Sequence, residues 1–107
     1  MTGKEFQVAA MRTASSIKTT DLLLNGILGL NGEAGEVADL VKKSLFQGHD
    51  LDYEKLADEL GDVLWYVAIT AQGIGLDLDQ IMAKNVHKLW QRYPDGFEAE
   101  RSINRKV

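Results

Sequence analysis

Two short boxes of the sequence each place two acids three residues apart, and together they hold Glu33, Glu36, Glu59 and Asp62. Acids at this spacing on a helix share one face, with their Cβ atoms about 5 to 6 Å apart. The midpoint between the boxes falls between Gln47 and Gly48, so antiparallel helices that turn there would bring both boxes level. Four converging carboxylates repel one another unless basic groups, protons or a divalent cation compensate their charge. The spacing therefore predicts a metal site.

The neighbours of the boxes distinguish this site from an ordinary solvated helix surface. Neither box has a cation four residues after its first acid, because Val37 follows Glu33 and Val63 follows Glu59. Exposed helix surfaces more often carry that stabilising pair. An all-oxygen ligand set suits magnesium, with manganese as the second choice, whereas iron, copper and zinc sites generally use imidazole or thiolate. Magnesium held by carboxylates keeps positions open for phosphate oxygens, which indicates phosphoryl chemistry.

A phosphate substrate needs cations, and the fourth predicted helix offers a polar stripe made of Lys84, Asn85, Lys88 and Arg92. By itself this stripe is typical of a solubilising surface, and the acidic boxes favour the phosphate-binding interpretation. Trp65 and Tyr93 are candidates to stack on a base. Aromatic residues at helical spacing more often belong to a core, so the aromatic candidates carry less weight than the cations.

The elements that must position these residues are helices. The single proline, Pro94, comes late in the chain and leaves the preceding residues free to form long helices. Apolar residues at spacings of three and four predict a short helix around 6–14, a second over 20–47, a third from about 50 to 72 and a fourth over 77–93. Gly48 is the expected end of the second helix, and Asp77 with Gln80 resembles a capping box. The fold class is all-α, a bundle of about four helices.

One chain of this length cannot cover all of its apolar helix surface. The run 63–69 is apolar nearly all round, which a contact between two helices cannot bury. The second helix also contains four glycines, which indicate close approach by another helix or a ligand: Gly26, Gly29, Gly32 and Gly35. We therefore expect oligomerisation to complete the bundle, with a homodimer as the first choice and a homotetramer as the second.

Composition bounds the function. The 107 residues form a single domain, 1–107, whose polar tail from about position 97 is expected to be mobile unless a partner orders it. A net charge of −4 argues against nonspecific binding to nucleic acid. The absence of cysteine suits a reducing cytosol, and no segment has the roughly 18 apolar residues of a membrane span. We expect a cytoplasmic protein that contacts no membrane.

The two acidic boxes resemble the signature of the MazG-like nucleotide pyrophosphohydrolases, which is E-x-x-E, a spacer of about two dozen residues, and E-x-x-D. The resemblance extends through LLLNGILGLNGEAGEVADLVKK, EKLADELGDVLWYVA and KNVHKLWQRYPDGF, from about Asp21 to Phe97. It implies an all-α enzyme that uses magnesium to cleave a nucleoside triphosphate between the α and β phosphates. It also implies that the four acids bind the metal and that Lys88 and Arg92 contact phosphates.

The resemblance leaves several points open. Dimeric dUTPases and phosphoribosyl-ATP pyrophosphohydrolases share the acidic boxes, so the motif does not identify the base. The carboxylate that orients the attacking water is Glu33 or Glu36. We therefore predict hydrolysis of (d)NTP to (d)NMP and pyrophosphate in nucleotide-pool house-cleaning. The alternatives are a phosphoribosyl-ATP pyrophosphohydrolase and a noncatalytic helical dimer that binds a nucleotide.

Overall fold

The computed structural model describes residues 1–105 and shows five α-helices in that range. They are α1 Gly3–Thr13, α2 Leu22–Phe46, α3 Tyr53–Gly73, α4 Leu78–Arg92 and α5 Ala99–Ile103. A short 3₁₀ turn, Thr19–Asp21, precedes α2. The described residues contain no β-strand, which confirms the all-α prediction. The additional element is α5, an exposed single-turn helix within the polar tail.

Local capping determines where the helices begin and end. Asp52 caps α3 by accepting hydrogen bonds from the backbone N–H groups of Glu54 and Lys55. At the start of α4 the Gln80 side chain accepts a hydrogen bond of 2.8 Å from the Asp77 backbone, which confirms the predicted capping interaction. Gly48 follows α2 with a φ of +72°, a left-handed conformation that glycine adopts without a Cβ penalty. The turn between α2 and α3 therefore lies where the sequence predicted it.

The α2 and α3 helices pack antiparallel at a close distance that glycine permits. A Cβ on Gly29 would overlap the ring of Tyr66, and a Cβ on Gly73 would lie 2.8 Å from the Leu23 backbone nitrogen. Both pairs have their midpoint at positions 47 to 48, which is also the midpoint of the acidic boxes. The predicted register, in which the two boxes lie level, is therefore the observed one.

The buried core is small and lies where α1, the start of α2 and the second half of α3 meet the first turn of α4. Its buried apolar members are Ala10, Ala14, Leu22, Ala68, Ile69 and Leu78. Half-buried apolar residues surround them, namely Phe6, Met11, Ile17, Trp65, Tyr66 and Val67. Ile69 is the largest apolar side chain that is fully buried. The core therefore holds one end of the α2–α3 pair, and the acidic boxes lie outside it, near the middle of α2 and in the first half of α3.

The chain is more open than a monomer of its size. Its radius of gyration is 16.8 Å, compared with about 13 Å for a compact domain of this length. Its accessible surface is 7942 Å², compared with about 6,000 Å² for a compact monomer of 11.9 kDa. Large apolar side chains contribute to this surface, including Leu28 at 65% exposure, Leu64 at 52% and Trp90 at 65%. No helix among residues 1–105 is both long and apolar enough to span a membrane.

Candidate metal centre

The α2–α3 pair brings together three of the four predicted ligands. Glu33, Glu59 and Asp62 each offer a carboxylate oxygen, and these oxygens lie within 4.8 Å of one another. Glu33 and Glu59 are half-buried, whereas Asp62 is exposed. One cation could therefore contact all three side chains from the solvent side of the groove. The donor set consists of oxygen atoms alone, which fits a hard divalent ion.

Glu36 lies outside this three-oxygen group and is exposed. The helical spacing still keeps it on the same face, since its negative charge contributes to raising the pKa of Glu33. The structure thus separates the four acids into a close group of three and one neighbour. A carboxylate beside the group can accept a hydrogen bond from water without being one of the three convergent ligands.

The acids around Glu33 alter the protonation of its carboxyl. The pKa of the Glu33 carboxyl is raised above its ordinary value, firstly by a hydrogen bond with Glu59 and then by partial burial. The negative charges of Glu59, Asp62 and Glu36 raise this pKa further. A divalent cation bound here would compete with protonation of Glu33, because a carboxylate must be deprotonated to bind a metal.

The predicted phosphate-binding residues lie on α4, outside the acidic group. Lys84, Asn85 and Lys88 are exposed, and Arg92 is half-buried. The charged groups that shift the pKa of Glu33 are the three other acids, and no described residue of α4 is among them. Within one chain, therefore, α4 packs on α1 and α3, and its cations do not contribute to the shifted pKa of Glu33. Lys43 is nearer, because the Glu36 charge contributes to the raised pKa of Lys43 after the larger effect of its 2.9 Å ion pair with Asp39.

The two aromatic candidates have structural neighbours. The Trp65 indole N–H donates a 2.9 Å hydrogen bond to the Thr13 hydroxyl, and the ring packs edge-on against Tyr66. Trp65 therefore joins α3 to α1 and is half-buried against the core. Tyr93 packs against Phe97 with ring centroids 5.1 Å apart, in an apolar cleft of about 640 Å³ at the end of α4.

The apolar cleft and the polar stripe are adjacent on α4, since Leu89 of the cleft lies four residues after Asn85 and three before Arg92. The polar stripe continues the spacing of Leu78 and Ile81, which contact the body of the protein, through Asn85, Lys88 and Arg92. The cleft is lined instead by Val86, Leu89, Trp90, Tyr93 and the turn 94–97.

Sequence reasoning missed Gln7, a glutamine that is only 1% exposed and bonds to the turn between α3 and α4. The signal was the helical spacing of Gly3, Gln7, Ala10 and Ala14, all of which are buried. A polar residue in such a stripe requires hydrogen-bond partners from another element. The spacing indicated the buried face, but it could not indicate those partners.

Comparisons with known proteins indicate the family of this chain. The family model of the MazG nucleotide pyrophosphohydrolase domain matches residues 23–97, which include all four acids and the α4 stripe. The chain is also similar to the Gene 37 protein of Mycobacterium phage L5, with 35% identity over 109 aligned positions that cover 94% of this chain and 96% of that protein. No solved structure matches the chain.

The fold and the site define the class of this protein. It is an all-α chain that carries a cluster of carboxylate side chains on two antiparallel helices. The chain belongs to the MazG nucleotide pyrophosphohydrolase family, because the family model covers well over half of its length. The family generally uses a divalent metal, and the group of Glu33, Glu59 and Asp62 is where this chain could hold one.

Proposed function

We propose that this protein is a magnesium-dependent hydrolase that converts nucleoside or deoxynucleoside triphosphates to the monophosphate and pyrophosphate. The observation that carries the proposal is the convergence of the Glu33, Glu59 and Asp62 carboxylates within 4.8 Å on two antiparallel helices. Magnesium in such a group would neutralise phosphate charge and lower the pKa of a bound water. Manganese is the alternative ion for the same ligands.

Different side chains of the site would bind the metal, accept a proton and bind the phosphates. Glu33, Glu59 and Asp62 hold the ion and so determine where the α phosphate lies. Glu36 is outside their oxygen group and exposed, which makes it the better placed of the two candidate acids to accept a proton from the attacking water. Phosphoryl transfer depends mainly on positioning and on neutralising charge, so the triphosphate also needs donors. Lys88 supplies one of them.

The other proposed phosphate contacts come from the rest of the α4 stripe, namely Arg92, Lys84 and Asn85. A guanidinium can bind phosphate oxygens in a bidentate way, whereas lysine acts as a mobile point charge. Trp65 and Tyr93 remain proposed base contacts, although their structural contacts described above make them secondary to the cations.

The proposed active form is a homodimer, with a homotetramer as the second choice. The accessible surface of the chain exceeds that of a compact monomer by about 2,000 Å². A stable interface typically covers about 800 Å² or more on each partner. The apolar cleft of α4 and the exposed face of α2 that carries Leu24 and Leu28 are the surfaces that a second copy would cover. Sedimentation at micromolar concentration should show a dimer or tetramer, and a stable monomer would overturn this assignment.

A panel of canonical, deoxy and noncanonical nucleoside triphosphates, incubated with magnesium and assayed for pyrophosphate, tests the proposed reaction. Release of pyrophosphate from any of them supports hydrolysis, and a preference for noncanonical forms supports nucleotide-pool house-cleaning in the cytoplasm. Phosphoribosyl-ATP should be included, since its exclusive cleavage would move the protein to histidine synthesis. Nucleotide binding without any cleavage would show a noncatalytic binding protein.

A further inference from the structure

Helix α4 is attached to the rest of the chain mainly near its start, and the polar stripe lies mostly beyond that attachment. α4 packs on α1 and α3, and its only buried or half-buried residues before Arg92 are Leu78 and Ile81. Every α4 residue from Met82 to Gln91 is exposed. The first turn is therefore where α4 is buried against the rest of the chain, and the direction of the stripe beyond it depends on this packing.

Gln7 of α1 holds the backbone just ahead of that first turn. Its Nε2 donates hydrogen bonds to the Leu76 carbonyl at 3.0 Å and to Gln72 Oε1 at 3.3 Å. Its Oε1 accepts from the Leu78 backbone N–H at 2.8 Å. One buried amide thus bonds to the backbone on both sides of Asp77, the residue that precedes α4.

A second set of contacts joins the start of α1 to the start of α4. The Asp79 carboxylate accepts hydrogen bonds from the backbone N–H groups of Gly3 at 3.0 Å and Lys4 at 3.1 Å. The Lys4 ammonium lies 2.7 Å from Asp77. Gly3 lets the two helices approach, because a Cβ there would lie 2.6 Å from the Met82 sulfur. Helix α1 therefore contacts α4 through both a buried and an exposed set of bonds.

The exposed part of α4 is long, so a small change of angle at its first turn would displace the cations near its other end. Ten residues separate Leu78 from Lys88, which is about 15 Å along the helix axis. A tilt of about 10° at the first turn would therefore move Lys88 by roughly 2.6 Å at that 1.5 Å rise per residue. Such a displacement is as long as a hydrogen bond to phosphate and would break that contact.

We infer that Gln7 is a positioning residue, which fixes the direction of α4 and thereby the place of Lys88 and Arg92 relative to the carboxylate group. The inference rests on the proposed phosphate contacts of these two cations. Gln7 itself touches neither metal nor substrate in this role. It acts through the backbone of Leu76 and Leu78, and its effect should appear in substrate binding rather than in metal binding.

A double-mutant cycle tests the inference in the full-length protein. We expect Gln7→Leu to raise KM for the triphosphate roughly tenfold, as expected for misplaced binding groups, while kcat changes less than about twofold. The magnesium affinity, measured by titration without nucleotide, should stay the same. In a Lys88→Ala/Arg92→Ala background, Gln7→Leu should change KM by less than about twofold. The effects of two substitutions are not additive when both act through the same contact.

Asp79→Ala provides a second variant in case Gln7→Leu fails to fold, since Asp79 acts at the surface and leaves the Gln7 bonds intact. It should show the same non-additivity with the α4 cations. Arg12→Ala is the matched control, because Arg12 is exposed in the last turn of α1, away from the contacts that the start of this helix makes with α4. That control should keep the wild-type KM.

Three results would overturn the inference, and they are distinguishable. If Gln7→Leu and Asp79→Ala raise KM equally with and without Lys88 and Arg92, their effect is a general loss of structure. If Lys88→Ala/Arg92→Ala alone leaves KM at the wild-type value, the proposed phosphate contacts themselves fail and the inference fails with them. Weaker magnesium binding in Gln7→Leu would also contradict a role confined to α4.

Discussion

Replacing Gly29 by alanine should separate α2 from α3 and weaken the metal centre. Gly29 lies one turn before Glu33, and Tyr66 lies one turn after Asp62, so their contact sets the distance between the facing acids. A Cβ on Gly29 would overlap three atoms of the Tyr66 ring. Overpacking of this kind costs up to about 3 kcal/mol, and alanine returns about 1 kcal/mol of helix propensity. The expected net loss is about 2 kcal/mol, or roughly 10 °C in Tm.

Gly35→Ala is the comparison variant, because Gly35 lies in the same helix and a Cβ there has no atom of the same chain within 4 Å. It gains the same propensity without crowding, so the two variants should differ by about 3 kcal/mol. Tm is measured at one protein concentration, since oligomers melt in a concentration-dependent way. Magnesium titration should show roughly tenfold weaker binding for Gly29→Ala alone, as loss of a supporting contact typically produces. Equal Tm shifts in the two variants would refute the close-packing explanation of the site.

Three further predictions concern the chemistry. Asp62→Asn should abolish magnesium-dependent turnover while circular dichroism stays helical, and full activity at saturating magnesium would refute the ligand assignment. Hydrolysis in oxygen-18 water should label the monophosphate, whereas label in pyrophosphate would place the attack at the β phosphorus. The raised pKa of Glu33 means that metal-free stability contributed by its proton is fully present at low pH and is lost as pH rises through that pKa, while magnesium binding strengthens over the same range. Both pH trends are checked by the Tm difference between wild type and Glu33→Gln, measured against pH with and without magnesium. A difference that does not change with pH would contradict them.

Several features followed from the sequence alone because they depend on local periodicity. Apolar spacing identified the four main helices, and the boundaries of α2 differ from the predicted 20–47 by one or two residues. The register of α2 against α3 was also predictable, since a short turn at Gly48 forces positions equally distant from it to lie level. The placement of Glu33 opposite Asp62 follows from that geometry.

Tertiary structure decided what depends on contacts between distant segments. Helical spacing places Glu36 on the same face as Glu33, but only the packed side chains show that Glu33, Glu59 and Asp62 converge while Glu36 stays outside their group. The sequence likewise marked Trp65 as a candidate base contact, and its bond to Thr13, 52 residues away, depends on how α1 packs on α3.

The direction of α4 shows most clearly what depends on tertiary structure. Its polar stripe is readable from spacing, because a helix of period 3.6 determines which residues share a face. Where that face points is determined by hydrogen bonds from Gln7 and Asp79 to residues more than 70 positions away in sequence. Periodicity specifies the faces of each helix, whereas the relative placement of helices depends on side-chain packing and long-range hydrogen bonds that no local pattern encodes.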